Sequence, residues 1–430
     1  MKTDIPAATL ATPRGARADE ILRSCVHCGF CNATCPTYQV RGNELDGPRG
    51  RIYLIKDMLE SGTVSDAAKL HLDRCLTCRA CETTCPSGVP YGELAEIGRE
   101  IVAEERGRGG LVKRLLLATV PRPRLLQALL RLARPFRWLA PKAHRRLLRK
   151  PPPSTTPQSA DSSSEGRPLP LARPGGRVGS SASAELLSPT AEGASSGLPQ
   201  AEASVLVLQG CVQRVVTPEV NAHLAALLDA RGVKAFSLAQ EGCCGGLPLH
   251  LGETFEALAM ARRNVRRLAS HDAAAKAHAI VSTASGCGVT WKEYGRLLGT
   301  DAAKAVASRV RDVAEVLERF KFRKRDDIDR VAWHPPCSLQ HGQRIGGIVE
   351  GILQRAGYRL TRVPDSHLCC GSAGTYSILQ PQLASELKDR KADALMSGEP
   401  DVIATANIGC QTHLDDAVSK PVLHWIELLR

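Results

Sequence analysis

No apolar run in this 430-residue chain approaches the ~18–20 residues needed to span a bilayer as a helix. The first residues, "MKTDIPAATLATPRGARADEI", lack the sustained apolar core of a secretory signal and soon turn charged. No G-x-G-x-x-G follows a predicted strand and no P-loop is present, which argues against a built-in flavin or nucleotide site. Residues 111–150 contain twelve Lys and Arg but no Asp or Glu. Elsewhere the balance is close to neutral, 45 basic residues against 44 acidic, so the net charge of +13 is one local feature. The stretch 151–203, rich in Pro, Ser, Gly and Thr, has too little apolar content for a core and is expected to be a disordered tether.

What the chain does have is cysteine, sixteen of them. In a large chain without a secretory signal, these are expected to be reduced metal ligands of a cytoplasmic protein rather than a disulfide scaffold. They fall into four groups of four with none left over: Cys25, Cys28, Cys31, Cys35; Cys75, Cys78, Cys81, Cys85; Cys211, Cys243, Cys244, Cys287; and Cys337, Cys369, Cys370, Cys410. Two duplications therefore stand in series.

"CVHCGFCNATCP" and "CLTCRACETTCP" both read C-x2-C-x2-C-x3-C-P, the bacterial ferredoxin run for a 4Fe–4S cluster. In two-cluster proteins the fourth cysteine ligates the other cluster. One cluster is accordingly assigned to Cys25, Cys28, Cys31 and Cys85, and the second to Cys75, Cys78, Cys81 and Cys35. Structural zinc, which usually pairs two C-x2-C knuckles, accounts less well for a third cysteine in phase and a following proline. Between the runs, "PRGRIYLIKDMLESG" looks helical and favours a helical two-cluster domain over residues 1–110.

In the second duplication, 32 positions separate Cys211 from Cys243 and Cys337 from Cys369. Adjacent Cα atoms lie ~3.8 Å apart, too close for an unstrained disulfide between Cys243 and Cys244 or between Cys369 and Cys370. Gly245 and Gly371 would let both neighbouring thiolates face one centre. An iron–sulfur centre, zinc and redox thiols all remain open for these eight cysteines. Strand and helix patterns alternate through 204–322 and again through 323–430, predicting two α/β repeats with their cysteines beyond the carboxyl ends of the strands. Cys287 and Cys410 are expected just ahead of helices, whose dipole would favour thiolate.

The Cys–Cys–Gly repeats resemble the cysteine-rich domain of heterodisulfide reductase. Together with "SCVHCGFCNATCPTYQ", "DSHLCCGSAGTYSILQP", "TANIGCQTHL" and "HWIEL", they make the chain resemble iron–sulfur subunits of the glycolate oxidase (glycolate dehydrogenase) family. That resemblance implies an electron-transfer subunit of an oxidoreductase, with FAD on partner subunits that oxidise glycolate to glyoxylate and with a membrane or quinone acceptor. Lactate or glycerol 3-phosphate is the alternative substrate, and a zinc-binding assembly module without redox activity is the reading from another class. No catalytic residue is assigned. The heterodisulfide-reductase pattern carries a fifth cysteine three residues after the fourth, where this chain has Thr290 and His413. The second repeat is the richer in polar candidates, with His334, His341, His367, Tyr376 and His413 against His250 and Tyr294 in the first.

In the basic segment 111–150, Leu126, Leu129 and Leu130 share one helical stripe and Arg124, Arg131 and Arg134 another, up to Pro135. A solvated helix pair, an acidic partner or an anionic membrane would suit it; nucleic acid would not, because no groove-reading module accompanies it. A cytoplasmic protein, or one peripheral on the inner face of the cell membrane, is expected.

Overall fold

The computed structural model describes residues 1–107, 109–136, 138, 167–168 and 204–430. The expected tether lies outside these apart from Arg167–Pro168, as do residues 139–150 of the basic segment.

The N-terminal part is helical. Its main helices are Pro13–Ser24, Pro48–Ser61, Asp66–Asp73 and Tyr91–Arg106. Proline opens the first two, where its missing N–H costs nothing, and Thr12 and Ser65 cap the first and third by accepting from Gly15 N and Ala68 N. Gly62, in the left-handed region at φ 68°, ends the second. Ile21, Leu22, Ile55, Leu72 and Leu94 fill the centre of this bundle and are essentially inaccessible. Each contributes ~1.5–3 kcal/mol by leaving water.

Beyond the helical part the chain forms two sheets whose parallel strands have matching topology. A two-residue strand, β1 (Arg167–Pro168), pairs antiparallel with one edge of the first sheet, inside a segment expected to carry no regular structure. Next come β2 (Ser204–Leu208), β3 (Lys234–Ser237), β4 (Ala279–Ser282) and β5 (Val310–Asp312), in the spatial order β1-β3-β2-β4-β5. The second repeat supplies β6 (Arg330–His334), β7 (Arg359–Leu360), β8 (Val402–Thr405) and β9 (Val422–His424), in the order β7-β6-β8-β9. Strands β2, β4, β6 and β8 are apolar or nearly so along their lengths because both faces are covered. The predicted pair of α/β repeats is therefore present. Val205, Val207 and Val281 of the first repeat and Val331, Trp333 and Trp425 of the second belong to one continuous core.

The helical domain docks on both repeats. Arg79 pairs with Glu293, Arg296 bonds Glu96 at 3.0 Å, Tyr376 Oη donates to Arg74 O at 3.0 Å, and Thr83 Oγ1 meets His341 Nδ1 at 2.8 Å. Burial pushes the Glu96 carboxyl up to about 7, against the attraction of Arg296. A carboxyl raised on folding stabilises fully below its unfolded value of ~4.3, and that contribution is lost as pH rises through about 7. The docked arrangement is thus expected to melt at lower temperature at pH 8 than at pH 6. Calorimetry of Glu96→Gln should show a flatter pH dependence; an unchanged slope would remove Glu96 as the cause.

Candidate metal centres around a shared cavity

The two ferredoxin-like runs fold alike because each is bent into the left-handed region on both sides of its middle cysteine. His27 (φ 57°) and Gly29 (φ 84°) flank Cys28, and Thr77 (φ 54°) and Arg79 (φ 62°) flank Cys78. Three of these four are not glycine, and each such residue costs of order 1–3 kcal/mol. That cost, repeated at matching positions, turns successive thiols toward one point. Cys35 caps the start of the helix Pro36–Arg41 and Cys85 caps the end of Ala80–Thr84; each is followed by proline and extended in backbone, which sends it elsewhere.

The resulting groups are crossed. The Cys31 thiol is pushed up to about 11 by burial and by the neighbouring Cys25, Cys85 and Cys28 thiols. Cys81 is driven well above the usual thiol range by burial and then by Cys78, Cys75 and Cys35. Cys25, Cys28, Cys31 and Cys85 therefore converge, and so do Cys35, Cys75, Cys78 and Cys81. Among the described residues all sixteen cysteines are free thiols.

Two buried cations beside the second group escaped sequence reasoning. Arg51, 1% exposed, donates to His71 O at 2.7 Å and Thr37 Oγ1 at 3.0 Å, and its guanidinium lies 3.9 Å from Cys35 Sγ. Arg99 donates to Leu72 O at 3.0 Å and Thr77 Oγ1 at 2.6 Å. Burial works to raise the Cys75 thiol, but Arg51 and Arg99 outweigh it and hold it below the ordinary range. An arginine inside an apolar helical face was the only available signal. Both groups fit a 4Fe–4S cluster in donor chemistry: four convergent thiols each, with fixed positive charge placed against the more buried group.

In the repeats, the cysteines sit where a parallel sheet changes direction. Cys211, the Cys243–Cys244 pair and Cys287 follow β2, β3 and β4; Cys337, the Cys369–Cys370 pair and Cys410 follow β6, β7 and β8. Because β2 lies between β3 and β4, and β6 between β7 and β8, the loops leave in opposite directions and open a crevice between them. Gly245 and Gly371, at φ 90° and 87°, make the turn that brings adjacent thiols to one side.

The first tetrad has Cys211 Sγ 3.6 Å from Cys243 Sγ, and Gly246 N donates to Cys244 Sγ at 3.4 Å. Hydrogen bonds with Cys243 and then Cys287 lower Cys244 far below its usual value, while Cys243 and Cys287 are raised. In the second tetrad all four thiols are raised, Cys337 by its hydrogen bond with Cys369 and by burial. Cys369, Cys370 and Cys410 are raised against a lowering hydrogen bond from the preceding cysteine of the tetrad, which burial and the other neighbouring thiols outweigh. Cys287 and Cys410 lie inside the first turn of the helices Ser285–Lys292 and Ile408–Leu414, not ahead of them. Neighbouring thiols and burial there outweigh any thiolate preference from the helix dipole, which corrects the expectation from sequence.

Of the polar candidates, Tyr294 Oη donates to Cys244 O at 2.8 Å and is itself bonded by Asn264. His250 lines the crevice and is lowered to about 4 by burial and Arg99. His341 bridges Thr83 and His367 O, and His413 Nε2 faces Ala384 O at 3.3 Å. His367 is half-buried and gives its carbonyl to His341 and Gln340. His334 alone among these faces the second tetrad with no hydrogen-bond partner on either ring nitrogen.

Three of the four groups meet. A cavity of about 540 Å³ is lined by Cys75 and Cys78, by all four cysteines of the first tetrad, and by Cys337, Cys369 and Cys410. Cys78 is close enough to Cys337 for their thiols to perturb each other, and Cys369 feels Cys78 in turn. The helices Leu111–Thr119 and Pro123–Ala133 wall one side through Lys113, Val120, Leu126 and Leu130. Lys113 Nζ lies 3.4 Å from Glu253 Oε1 and ties this hairpin to the first repeat.

Comparison with known proteins agrees with this architecture. Residues 21–89 match the family described as a 4Fe-4S dicluster domain, and residues 205–292 and 331–415 match the one described as a cysteine-rich domain. The glycolate oxidase iron-sulfur subunit of Escherichia coli (strain K12) is 43% identical over 100% of this chain and 98% of its own length. A "probable glycolate oxidase iron-sulfur subunit" of Bacillus subtilis (strain 168) is 28% identical over 90% of this chain and 87% of its own. A subunit of the fumarate reductase (CoM/CoB) of Methanothermobacter marburgensis is 24% identical over 95% of this chain and 70% of its own.

Proposed function

Since the chain belongs to the glycolate oxidase iron–sulfur subunit family, we propose that it takes electrons from FAD-bearing partner subunits oxidising glycolate to glyoxylate and passes them toward a membrane quinone. The family makes it an iron–sulfur electron-transfer subunit; the substrate, the partners and the acceptor are the proposed part. The observation that carries the reading is that Cys78 and Cys337 pack against the apolar cluster that holds Cys369, and all three line one cavity. It supports a continuous route from the helical domain into the second repeat.

Cys25, Cys28, Cys31 and Cys85 would hold one 4Fe–4S cluster, and Cys35, Cys75, Cys78 and Cys81 the other; the two tetrads would hold further metal. A bound 4Fe–4S cluster supplies one-electron exchange. The residues of this chain do the rest. Cys28 is exposed, which leaves the first group open to a docking partner. Arg51 and Arg99 set fixed positive charge beside the second group, and Tyr91 Oη donates to Cys75 Sγ at 3.6 Å. Leu76, Tyr376 and Leu383 form with Cys369 the apolar cluster against which Cys78 and Cys337 pack.

The assembled complex, given glycolate anaerobically, should bleach the broad iron–sulfur absorbance near ~400 nm. Faster bleaching with lactate or glycerol 3-phosphate would move the assignment to that substrate. Stoichiometric zinc without iron in the anaerobically purified chain would end the electron-transfer reading.

The basic hairpin suits delivery to a membrane. No described helix is long and apolar enough to cross one. Leu111, Leu115, Leu132 and Trp138 are 60–81% exposed, amid the exposed Arg114, Arg122 and Arg131. Cations near an anionic leaflet are worth ~1 kcal/mol each, and apolar side chains add insertion. Flotation with phosphatidylglycerol vesicles should carry the chain along, and phosphatidylcholine vesicles should carry far less. Leu115→Glu with Leu132→Glu should reduce flotation several-fold; unchanged flotation would detach the hairpin from the membrane.

A further inference from the structure

His334 ends β6 three residues before Cys337, and it is 1% exposed. Neither ring nitrogen has a hydrogen-bond partner among the described residues. An unsatisfied buried polar group costs ~1–3 kcal/mol, so an idle imidazole at this depth calls for a ligand. It is aimed at one. A ring nitrogen of His334 and the sulfurs of Cys370 and Cys410 all lie within 4.8 Å of one another.

The first repeat lacks this group. Leu208 ends β2 three residues before Cys211, at the position matching His334. His413, which stands where the heterodisulfide-reductase pattern has its fifth cysteine, instead turns Nε2 toward Ala384 O. The extra donor of the second site thus comes from the end of a strand rather than from the helix that carries Cys410.

We propose that His334 supplies an imidazole nitrogen, beside the thiolates of Cys337, Cys369, Cys370 and Cys410, to a metal centre in the second repeat, while the first repeat's centre has thiolate ligands only. The inference rests on the reading that the second tetrad holds metal. Iron in a sulfide-bridged centre and zinc both accept mixed nitrogen and sulfur donors. An iron centre can take all five groups, whereas four-coordinate zinc would take His334 with three of the thiolates, Cys370 and Cys410 among them; the experiment separates them.

The test uses the full chain, purified anaerobically from cells supplied with 15N-histidine. If the metal is iron, pulsed electron paramagnetic resonance should show a histidine nitrogen coupling. If it is zinc, absorption at the zinc edge should show nitrogen at ~2.0–2.1 Å beside sulfur at ~2.3 Å. His334→Leu, which copies the first repeat, should abolish the nitrogen signal and lower the metal of this site at least two-fold. The spectra of the two ferredoxin-type clusters should persist in it and report a folded chain. His334→Cys should keep the metal and lose the nitrogen. Metal in the second site without a nitrogen signal, or a signal that survives His334→Leu, overturns the role of His334 alone. No metal beyond the two ferredoxin-type clusters overturns the metal reading of the second tetrad with it.

Discussion

Cys35→Ala and Cys78→Ala should each remove the same cluster, and Cys85→Ala and Cys28→Ala should each remove the other. Every one of the four variants is expected to lose about four of the about eight irons held by the two ferredoxin-type clusters. The pairing runs against sequence order, since Cys35 lies next to Cys31 in the chain but converges with Cys75, Cys78 and Cys81. Iron and sulfide analysis with low-temperature electron paramagnetic resonance reads the result, because each surviving cluster keeps its own signal. A Cys35→Ala spectrum matching that of Cys28→Ala would overturn the crossed assignment. The two losses should also differ in reach. Cys78 packs against the apolar cluster that holds Cys369 and borders Cys337, so its removal should speed alkylation of the second tetrad, whereas removal of exposed Cys28 should leave that rate unchanged.

Gly371→Ala should destabilise the second repeat by roughly 2–5 kcal/mol. Part of this is ~1–2 kcal/mol for an L-residue in the left-handed region, here at φ 87°. The remainder is ~1–3 kcal/mol of overpacking, because a Cβ would stand 2.7 Å from Ala384 O and 3.0 Å from Leu387 Cβ. Gly245→Ala meets the same obstacle in the first repeat, with Ala257 O at 2.9 Å and φ 90°. Gly299 is the control: its φ is 67°, but nothing lies within 4 Å of an added Cβ, so Gly299→Ala should carry the conformational cost alone. Calorimetric melting of the three variants decides it. Equal shifts for Gly371→Ala and Gly299→Ala would show that the close approach of Ala384 does not matter.

Much of the site was legible because its signals are local. A C-x2-C-x2-C run needs only a few turns of backbone to present three thiols together, and "LCCG" with "GCCGG" announces a turn that glycine permits. Strand–loop–helix alternation likewise placed Cys211, Cys287, Cys337 and Cys410 beyond the carboxyl ends of strands. Helix boundaries were less legible: Ser285–Lys292 and Ile408–Leu414 begin before their cysteines by a few residues, and the burial and neighbouring thiols that outweigh the helix dipole there leave no trace in the sequence. Arg51 and Arg99 were legible only as arginines inside apolar helical faces. Nothing in their neighbourhood distinguishes a guanidinium pointed at thiols from one pointed at water.

The sequence by itself determined the number of cysteine groups, their fourfold make-up, the doubling of each type and the α/β plan of the repeats. All of these follow from spacing, periodicity and the conformational freedom of glycine within short stretches. Only the tertiary structure decided that three of the four groups share one cavity, that Cys78 and Cys337 pack on the cluster of Cys369, and that His334 faces its tetrad unpartnered. Those contacts join residues that lie on different elements and, for Cys78 and Cys337, hundreds of positions apart. They exist because the helical domain and the two repeats bury apolar surface against one another, and spacing along the chain carries no record of which faces meet.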